Sequence, residues 1–447
     1  MKRSIPILFV VFLAAVLLGP VAWQAWGPLP DSVAARINGE DLPADTLAVF
    51  VAAARRADPT TTPQAVLKGL VENRLLAGLA EHDDHHGHHA AQVGSGNVGY
   101  DRDTVREQQR FRLLRSAFAE PLRAAVRTRG ADNSLTYLTQ PLELDATALA
   151  PMLTLEQALY TTMTEAQQQA AKQYVLARYR FAESQPEQTL SLWDLYRRQN
   201  IQLKVQMHNL NLAFVREAIK QQLTMEFVFY WFEQESGLSR QAVAAVDRCL
   251  EDALHRDALL HEMGLMHDIH DDNPALREQA GRVTQQQIAG YYAANKDQFT
   301  RVERVRGRHL RVDSQQAADR IVAEIRDGLS FEQAIAQYSL AEDARDGGQL
   351  GWIDRETRND HWMLALAFVQ PEGRVSAPFR SPAVSGAPYW EILLVDEKVM
   401  GYQPLDSESV RYRASLAIAR EQLEARFRQQ LADASADASL RINQGVM

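Results

Sequence analysis

Histidine is the residue type whose spacing in this chain points to chemistry. Five of the twelve histidines fall in EHDDHHGHH at 81–89, namely His82, His85, His86, His88 and His89. Neutral imidazoles bind Zn²⁺, Cu²⁺ or Ni²⁺, and Asp83 and Asp84 add oxygen ligands. A second patch, HEMGLMHDIHDD, sets His261, His267 and His270 beside Met263 and Met266, a thioether and imidazole set that suits copper. The plain alternative for the first patch is a solvated loop that takes up Zn or Cu adventitiously. For the second patch it is a helix surface with residues at helical spacing. Equilibrium dialysis against Zn²⁺ and Cu²⁺ separates the two: binding no tighter than to a scrambled loop ends the metal reading.

Other site chemistry is excluded more simply. HHGHH is not HExxH, so a zinc protease is unsupported. No P-loop or GxSxG pattern is present, and GSGNVG at 94–99 has GxGxxG spacing but lies in the predicted loop 82–103, without the strand before it and the helix opening that a dinucleotide site requires. Cys249 is the single cysteine, which rules out an internal disulfide and a zinc site built on cysteine pairs. In its setting, AVAAVDRCLEDAL, it reads as a small packed side chain.

The elements that must hold any site divide the 447 residues into two or three domains. With 46% hydrophobic and 23% charged residues, the chain has the balance of a folded protein, not of a disordered, fibrous or multi-span one. Its 48 basic and 57 acidic residues leave a net charge of −9, so no nucleic-acid partner is expected.

Lys2 and Arg3 precede the apolar run 5–23, and no charge occurs from Ser4 to Pro30. As a helix this run reaches about 28 Å, one hydrocarbon thickness. Residues 1–30 are therefore expected to be a transmembrane anchor in the inner membrane. The basic end stays inside and the rest of the chain lies in the periplasm. The alternative is a cleaved signal peptide that releases the chain into the periplasm. The cleavage sites are poor: Trp23 would stand at −3 if cleavage followed Ala25.

Beyond the anchor, RINGEDLP (36–43) predicts a strand, an Asn-Gly turn and a helix entry. Val66, Leu67, Leu70, Val71, Leu75, Leu76 and Leu79 recur at three and four, so 63–81 is an amphipathic helix. Residues 82–103 read as a loop, and 104–297 as mostly helical. The segment 192–215 mixes aromatic and basic residues and reads as a core-facing helix or strand. After LRVDSQQ (310–316) the pattern changes to helices at 314–327 and 330–338, a glycine-rich turn at 347–351 and β-rich segments to about 396. Ser330 and Gln333 form a capping box. A charged amphipathic helix is expected at 406–435.

Within 303–397 stand, in order, VRGRHLRV, AADRIVAEIRDGLSFEQAIAQYS, DGGQLGW, LAFVQPEGRVSAPFRS and YWEILLVDE. This series resembles a parvulin-type peptidyl-prolyl isomerase domain, with GGQLGW and GxVSxP its most specific pieces. The resemblance implies a four-stranded antiparallel sheet wrapped by helices. RINGEDLP, QAVLKGLVENRLLAGLA and VTQQQIAGYYAANKDQF are in turn similar to segments of periplasmic SurA-like foldases. In that family, N-terminal helices, a pre-isomerase segment and a C-terminal helix form one chaperone body. The expected fold is thus α+β. A mostly helical chaperone-like body (31–300) with a long helical insertion is followed by a parvulin-like domain (301–398) and a C-terminal helix packing on the body (399–447). The middle, 82–280, matches no motif.

Prolyl isomerisation breaks no σ bond; it lowers a barrier of about 18–20 kcal/mol to rotation about the X–Pro amide. It needs an apolar cup for proline and a few polar groups near the carbonyl. Carried over from the resemblance, His309 matches the first histidine and Leu350 the pocket leucine. Trp362 or Met363 falls at the next pocket position, and Phe368 matches the aromatic of the following helix. The Cys/Asp position falls on Ala341, and the second histidine position on Glu391, which cannot reproduce a neutral His–His bond. Asp343 or Glu342 partly stands in for the lost acid. Ala341 and Glu391 are therefore degenerate catalytic positions, and isomerase activity is expected to be weak or absent. The alternative for His309 is a histidine bonded within the sheet with no catalytic role.

The resemblance as a whole implies a periplasmic foldase that binds unfolded or nascent exported polypeptides and requires no cofactor. The alternative is a Cu- or Zn-handling protein with the isomerase-like module as scaffold.

Overall fold

The structure is a computed structural model that describes residues 29–83, 100–130, 133–155, 163–266, 273–356, 362–382 and 386–446. The apolar run 5–23, His85, His86, His88, His89, His267 and His270 lie outside the described residues. His82 falls in the last turn of helix Pro63–Asp83. Among the described residues no helix is long and apolar enough to cross a membrane, and no group of three or more His, Cys, Asp or Glu is placed to hold a metal.

The chain forms two compact units, Met1–Arg277 with Arg420–Met447, and Glu278–Ala419. The boundary therefore moves from 300/301, where sequence placed it, to 277/278, and residues 399–419 join the second unit. The physical reason is a shared core: Ile288 and Phe299 bury against Val410, Ala414 and Ile418.

In the first unit, strands β1 (Val33–Ile37) and β2 (Glu40–Pro43) form an antiparallel hairpin. Asn38 and Gly39 make the turn with φ of 49° and 87°, the left-handed pair that a two-residue turn requires. Sequence predicted the turn but only one of the two strands. On its other side β1 pairs with Leu440–Ile442, Ile37 facing Leu440. Helices Ala44–Ala57 and Pro63–Asp83 bury Leu47, Val51, Val66, Leu67, Leu70 and Val71 in a core that includes Cys249. Cys249 is 8% exposed, and burial pushes its thiol up to about 12. A thiol reagent at pH 8 is expected to leave the native chain unlabelled and to label it in denaturant; fast native labelling would contradict this packing.

The middle, read as mostly helical, also holds a hairpin that the sequence reading did not place. Strands β3 (Val175–Tyr179) and β4 (Gln188–Ser191) form a second hairpin. Short strands escape a helical period, but their side chains are held by the core: Leu176, Tyr179 and Leu190 are buried, as is Phe181 in the connection between the strands. Residues 192–215 form three helical pieces, Leu192–Arg197, Ile201–His208 and the start of Leu212–Gln234. Asn200 and Asn211 split them, each side chain accepting a backbone N–H of the following turn. The long helix Leu212–Gln234 anchors the unit. Its Phe227 stacks on Tyr137 at 5.0 Å and meets Phe181 edge-on at 5.6 Å. Phe232 on the same helix is fully buried. Phe232→Ala is expected to cost about 3–5 kcal/mol in denaturant unfolding; a loss under about 1 kcal/mol would refute a rigid core here.

The second unit is built on strands β5 (Thr300–Val312), β6 (Gln349–Asp354), β7 (Phe379–Arg380) and β8 (Trp390–Tyr402). They form the four-stranded sheet expected from sequence, in the order β6-β5-β8-β7, with every pair antiparallel. Helices Gln315–Arg326 and Phe331–Tyr338 cover one face, where Leu310, Val312 and Ile392 meet Ile321, Val322, Phe331 and Ile335. The Ser330–Gln333 capping box opens the second of these helices as expected. Helix Trp362–Val369 brings Ala367 and Phe368 onto Val305 and Val395. Because Val305 and His309 alternate with Leu310 and Val312 along β5, they share this other face.

Candidate active site of the second unit

His309 stands in β5, directly opposite Leu393 of β8, and Arg311 stands opposite Glu391. Paired and alternate positions share a face, so His309, Arg311 and Glu391 lie together. The segment after helix Phe331–Tyr338 is clamped to the same strand at two points. The Leu340 N–H donates to the Arg311 carbonyl at 2.8 Å, and the His309 N–H donates to the Gly348 carbonyl at 2.9 Å. Between these clamps, Glu342–Asp346 forms a 3₁₀ turn that ends on Gly347 in the left-handed region. The Gly348 N–H closes it onto the Asp343 carbonyl at 2.9 Å. The fold therefore delivers Asp343 to the His309 ring.

Both ring nitrogens of His309 meet carboxylates. Nδ1 lies 2.7 Å from Glu391 Oε2, and Nε2 lies 3.0 and 2.9 Å from the two Asp343 oxygens. Arg311 Nε donates to the other Glu391 oxygen at 2.7 Å. His309 is 4% exposed and Glu391 is fully buried, whereas the Asp343 side chain is 37% exposed. Burial pushes the His309 pKa down, but the hydrogen bonds and charges of Glu391 and then Asp343 push it up by more, and the net shift is upward. An imidazolium that donates both N–H groups has no lone pair to accept a proton. His309 in this state is not the base of a nucleophilic triad.

The apolar positions fall on the same side of the sheet. Leu350 is half-buried against the cluster of Val305, Ile353, Ala367, Phe368 and Val395. Met363 and Phe368 are buried. The Trp362 ring lies 6.5 Å from that of Tyr389, over which the Arg311 guanidinium sits at 4.3 Å. Ala341 is buried and offers no side-chain polar atom; its N–H donates to Ser339 Oγ at 3.3 Å. Of the two acids that sequence offered in its place, Asp343 reaches His309. Glu391 does not imitate a neutral histidine partner: it is a carboxylate whose two oxygens accept from His309 Nδ1 and Arg311 Nε. Arg311 and Tyr389 were missed from sequence, although the two-residue step from His309 to Arg311 along a strand places both on one face.

Comparison with known proteins agrees with this geometry. Residues 283–411 match the family described as the PPIC-type PPIASE domain. Those limits coincide with the second unit more closely than with the 301–398 predicted from sequence. A stretch of 100 residues is 28% identical to the foldase protein PrsA of Bacillus subtilis, covering 22% of this chain and 32% of the relative. A stretch of 69 residues is 36% identical to the chaperone SurA of Methylococcus capsulatus, covering 15% of each. The chain thus matches a third or less of the length of these relatives. A solved structure from Campylobacter jejuni, of a pair described as SurA-like chaperones, is 19% identical over 53% of this chain and 86% of its own, with a TM-score of 0.22. Residues 283–411 are therefore a PPIC-type, parvulin-like domain.

Proposed function

We propose that this chain is a foldase of exported proteins. Its helical body holds unfolded or nascent polypeptides, and its parvulin-like domain isomerises X–Pro bonds at a low rate without a cofactor. The apolar run 5–23 anchors it in the inner membrane with both units in the periplasm. The names of the two relatives, a foldase and a chaperone, support the class of function. The observation that carries the isomerase part is the Asp343 carboxylate, bonded to His309 Nε2 and the only solvent-facing member of the Glu391–His309–Asp343 line.

In the planar amide the carbonyl oxygen carries partial negative charge. Rotation localises the nitrogen lone pair and reduces that charge. A carboxylate facing the oxygen therefore disfavours the planar form more than the twisted one, and this lowers the barrier. Ala341 presents no side-chain polar group to the amide, which is why the rate is low. The apolar side chains Leu350, Trp362, Met363 and Phe368 hold the proline and exclude water. The test is isomerisation of an X–Pro peptide by the purified chain. A slow rate above the uncatalysed one is expected, and Asp343→Asn should remove at least tenfold of the excess with far-UV circular dichroism unchanged. No excess rate, or an Asp343→Asn variant as fast as the parent, would overturn the proposal.

A further inference from the structure

We infer that Glu391 and Arg311 are positioning residues for this reaction: they hold His309 as a doubly protonated imidazolium and thereby fix Asp343 toward the substrate amide. The inference rests on the isomerase function proposed above. Its basis is a line of alternating charge, Arg311, Glu391, His309 and Asp343, in which each neighbour lies within 3.0 Å of the next.

The hydrogen-bond directions leave little choice of protonation state. Glu391 is fully buried, and its oxygens are divided between Arg311 Nε and His309 Nδ1. A buried carboxylate needs both donors, so Nδ1 carries a proton. If His309 were neutral, its Nε2 lone pair would then face both Asp343 oxygens at 2.9–3.0 Å, lone pair against carboxylate. With Nε2 also protonated, the same contact becomes a charge-assisted hydrogen bond shared by the two oxygens. Asp343 is thus held by a ring that Glu391 has charged, and Glu391 is aimed by Arg311. Arg311 is itself placed twice, by its register opposite Glu391 and by its seat on the Tyr389 ring.

Few other charges face the ring. Glu391 comes from β8 and Asp343 from the 3₁₀ turn, while Arg311 on the same strand faces Glu391. Helix Trp362–Val369 contributes none, since all eight residues are apolar. Arg308 points to the opposite side of β5, where it is bound to Asp396 at 2.6 Å.

The experiment uses the full chain, its Glu391→Gln, Arg311→Lys, Arg311→Gln and Asp343→Asn variants, and two readouts. Nitrogen-15 NMR of the His309 ring, assigned through His309→Gln, counts ring protons against pH. The X–Pro rate is followed over the same range. The parent should show two ring N–H groups at pH 7 and a rate that falls as His309 loses its proton. In Glu391→Gln this alkaline limb should move at least one unit toward acid, with kcat down about tenfold and KM changed less than twofold. Arg311→Gln should follow it, while Arg311→Lys should keep most of the parent behaviour. If Glu391→Gln fails to fold, the half-exposed Asp343→Asn supplies the ring titration, which should also move toward acid. A single ring N–H at pH 7, or a titration unmoved in the folded variants, overturns the inference. Two ring protons with no turnover at any pH would uphold the charge line and overturn the isomerase function.

Discussion

Alanine at Gly348 is expected to cost the second unit about 3 kcal/mol or more and to dismantle the His309 site. Gly348 has φ of +57°, and a Cβ built there would lie 2.2 Å from the His309 carbonyl oxygen and 3.3 Å from Ile335 Cδ1. The left-handed backbone alone costs a residue with a side chain about 1–2 kcal/mol. The clash adds about 1–3 kcal/mol, because the obstacle is the backbone of the central strand β5 and cannot rotate aside. Relief requires the 340–348 segment to pull away from β5, which carries Asp343 off the imidazole. Gly351 is the control: it has φ of +64°, yet nothing lies within 4 Å of its added Cβ. Gly351→Ala should therefore cost only the conformational part. Equal losses in denaturant unfolding for the two variants would refute the close approach.

The second large effect is on the pH dependence of stability. The His309 pKa is raised in the folded state, so the folded chain binds a proton that the unfolded chain has released. The resulting stability is complete below the ordinary histidine value of about 6.5 and is lost as pH rises through the higher folded value. Each unit of separation is worth about 1.4 kcal/mol. The unfolding midpoint of the second unit should therefore fall between pH 6 and pH 9. His208 in the first unit works in the opposite sense. Burial lowers its pKa, so its effect appears as a loss of stability on acidification and does not mimic an alkaline loss. His309→Leu should flatten the alkaline slope. It should also cost about 1–3 kcal/mol at neutral pH, because the fully buried Glu391 loses its His309 donor, the cost being limited by Arg311, which it keeps. A midpoint that holds level or rises from pH 6 to pH 9 would contradict the charged ring.

What could be read beforehand was local. The Ser330–Gln333 cap, the Asn38–Gly39 turn and the period of 63–81 each depend on residues a few positions apart, and each appears in the structure. His309 and Leu350 were legible because they sit in short patterned segments. Asp343 was one of two acids with no means of choosing between them, since the choice is made by a 3₁₀ turn pinned at Arg311 and Gly348. The two-residue step puts Arg311 on the face of His309, but its role was not legible because its partner Glu391 lies 80 residues away and is brought opposite by sheet register. The hairpin β3–β4 failed for a different reason. Strands of four and five residues carry too little period to stand out among helices, and the aromatic core around Phe227 decides their conformation.

The pairing of β1 with Leu440–Ile442 bears on the order in which the chain can be completed. Asn38 accepts a hydrogen bond from Ser439 across 401 residues of sequence. The sheet of the second unit closes within residues 300–402, so its longest partnerships are about a hundred residues in span. A polypeptide delivered N-terminus first could finish the second unit while β1 still had one bare edge. That edge is a row of unpaired backbone groups, open to any extended chain nearby, until the strand that covers it arrives. Removing residues 439–446 would make that waiting state permanent.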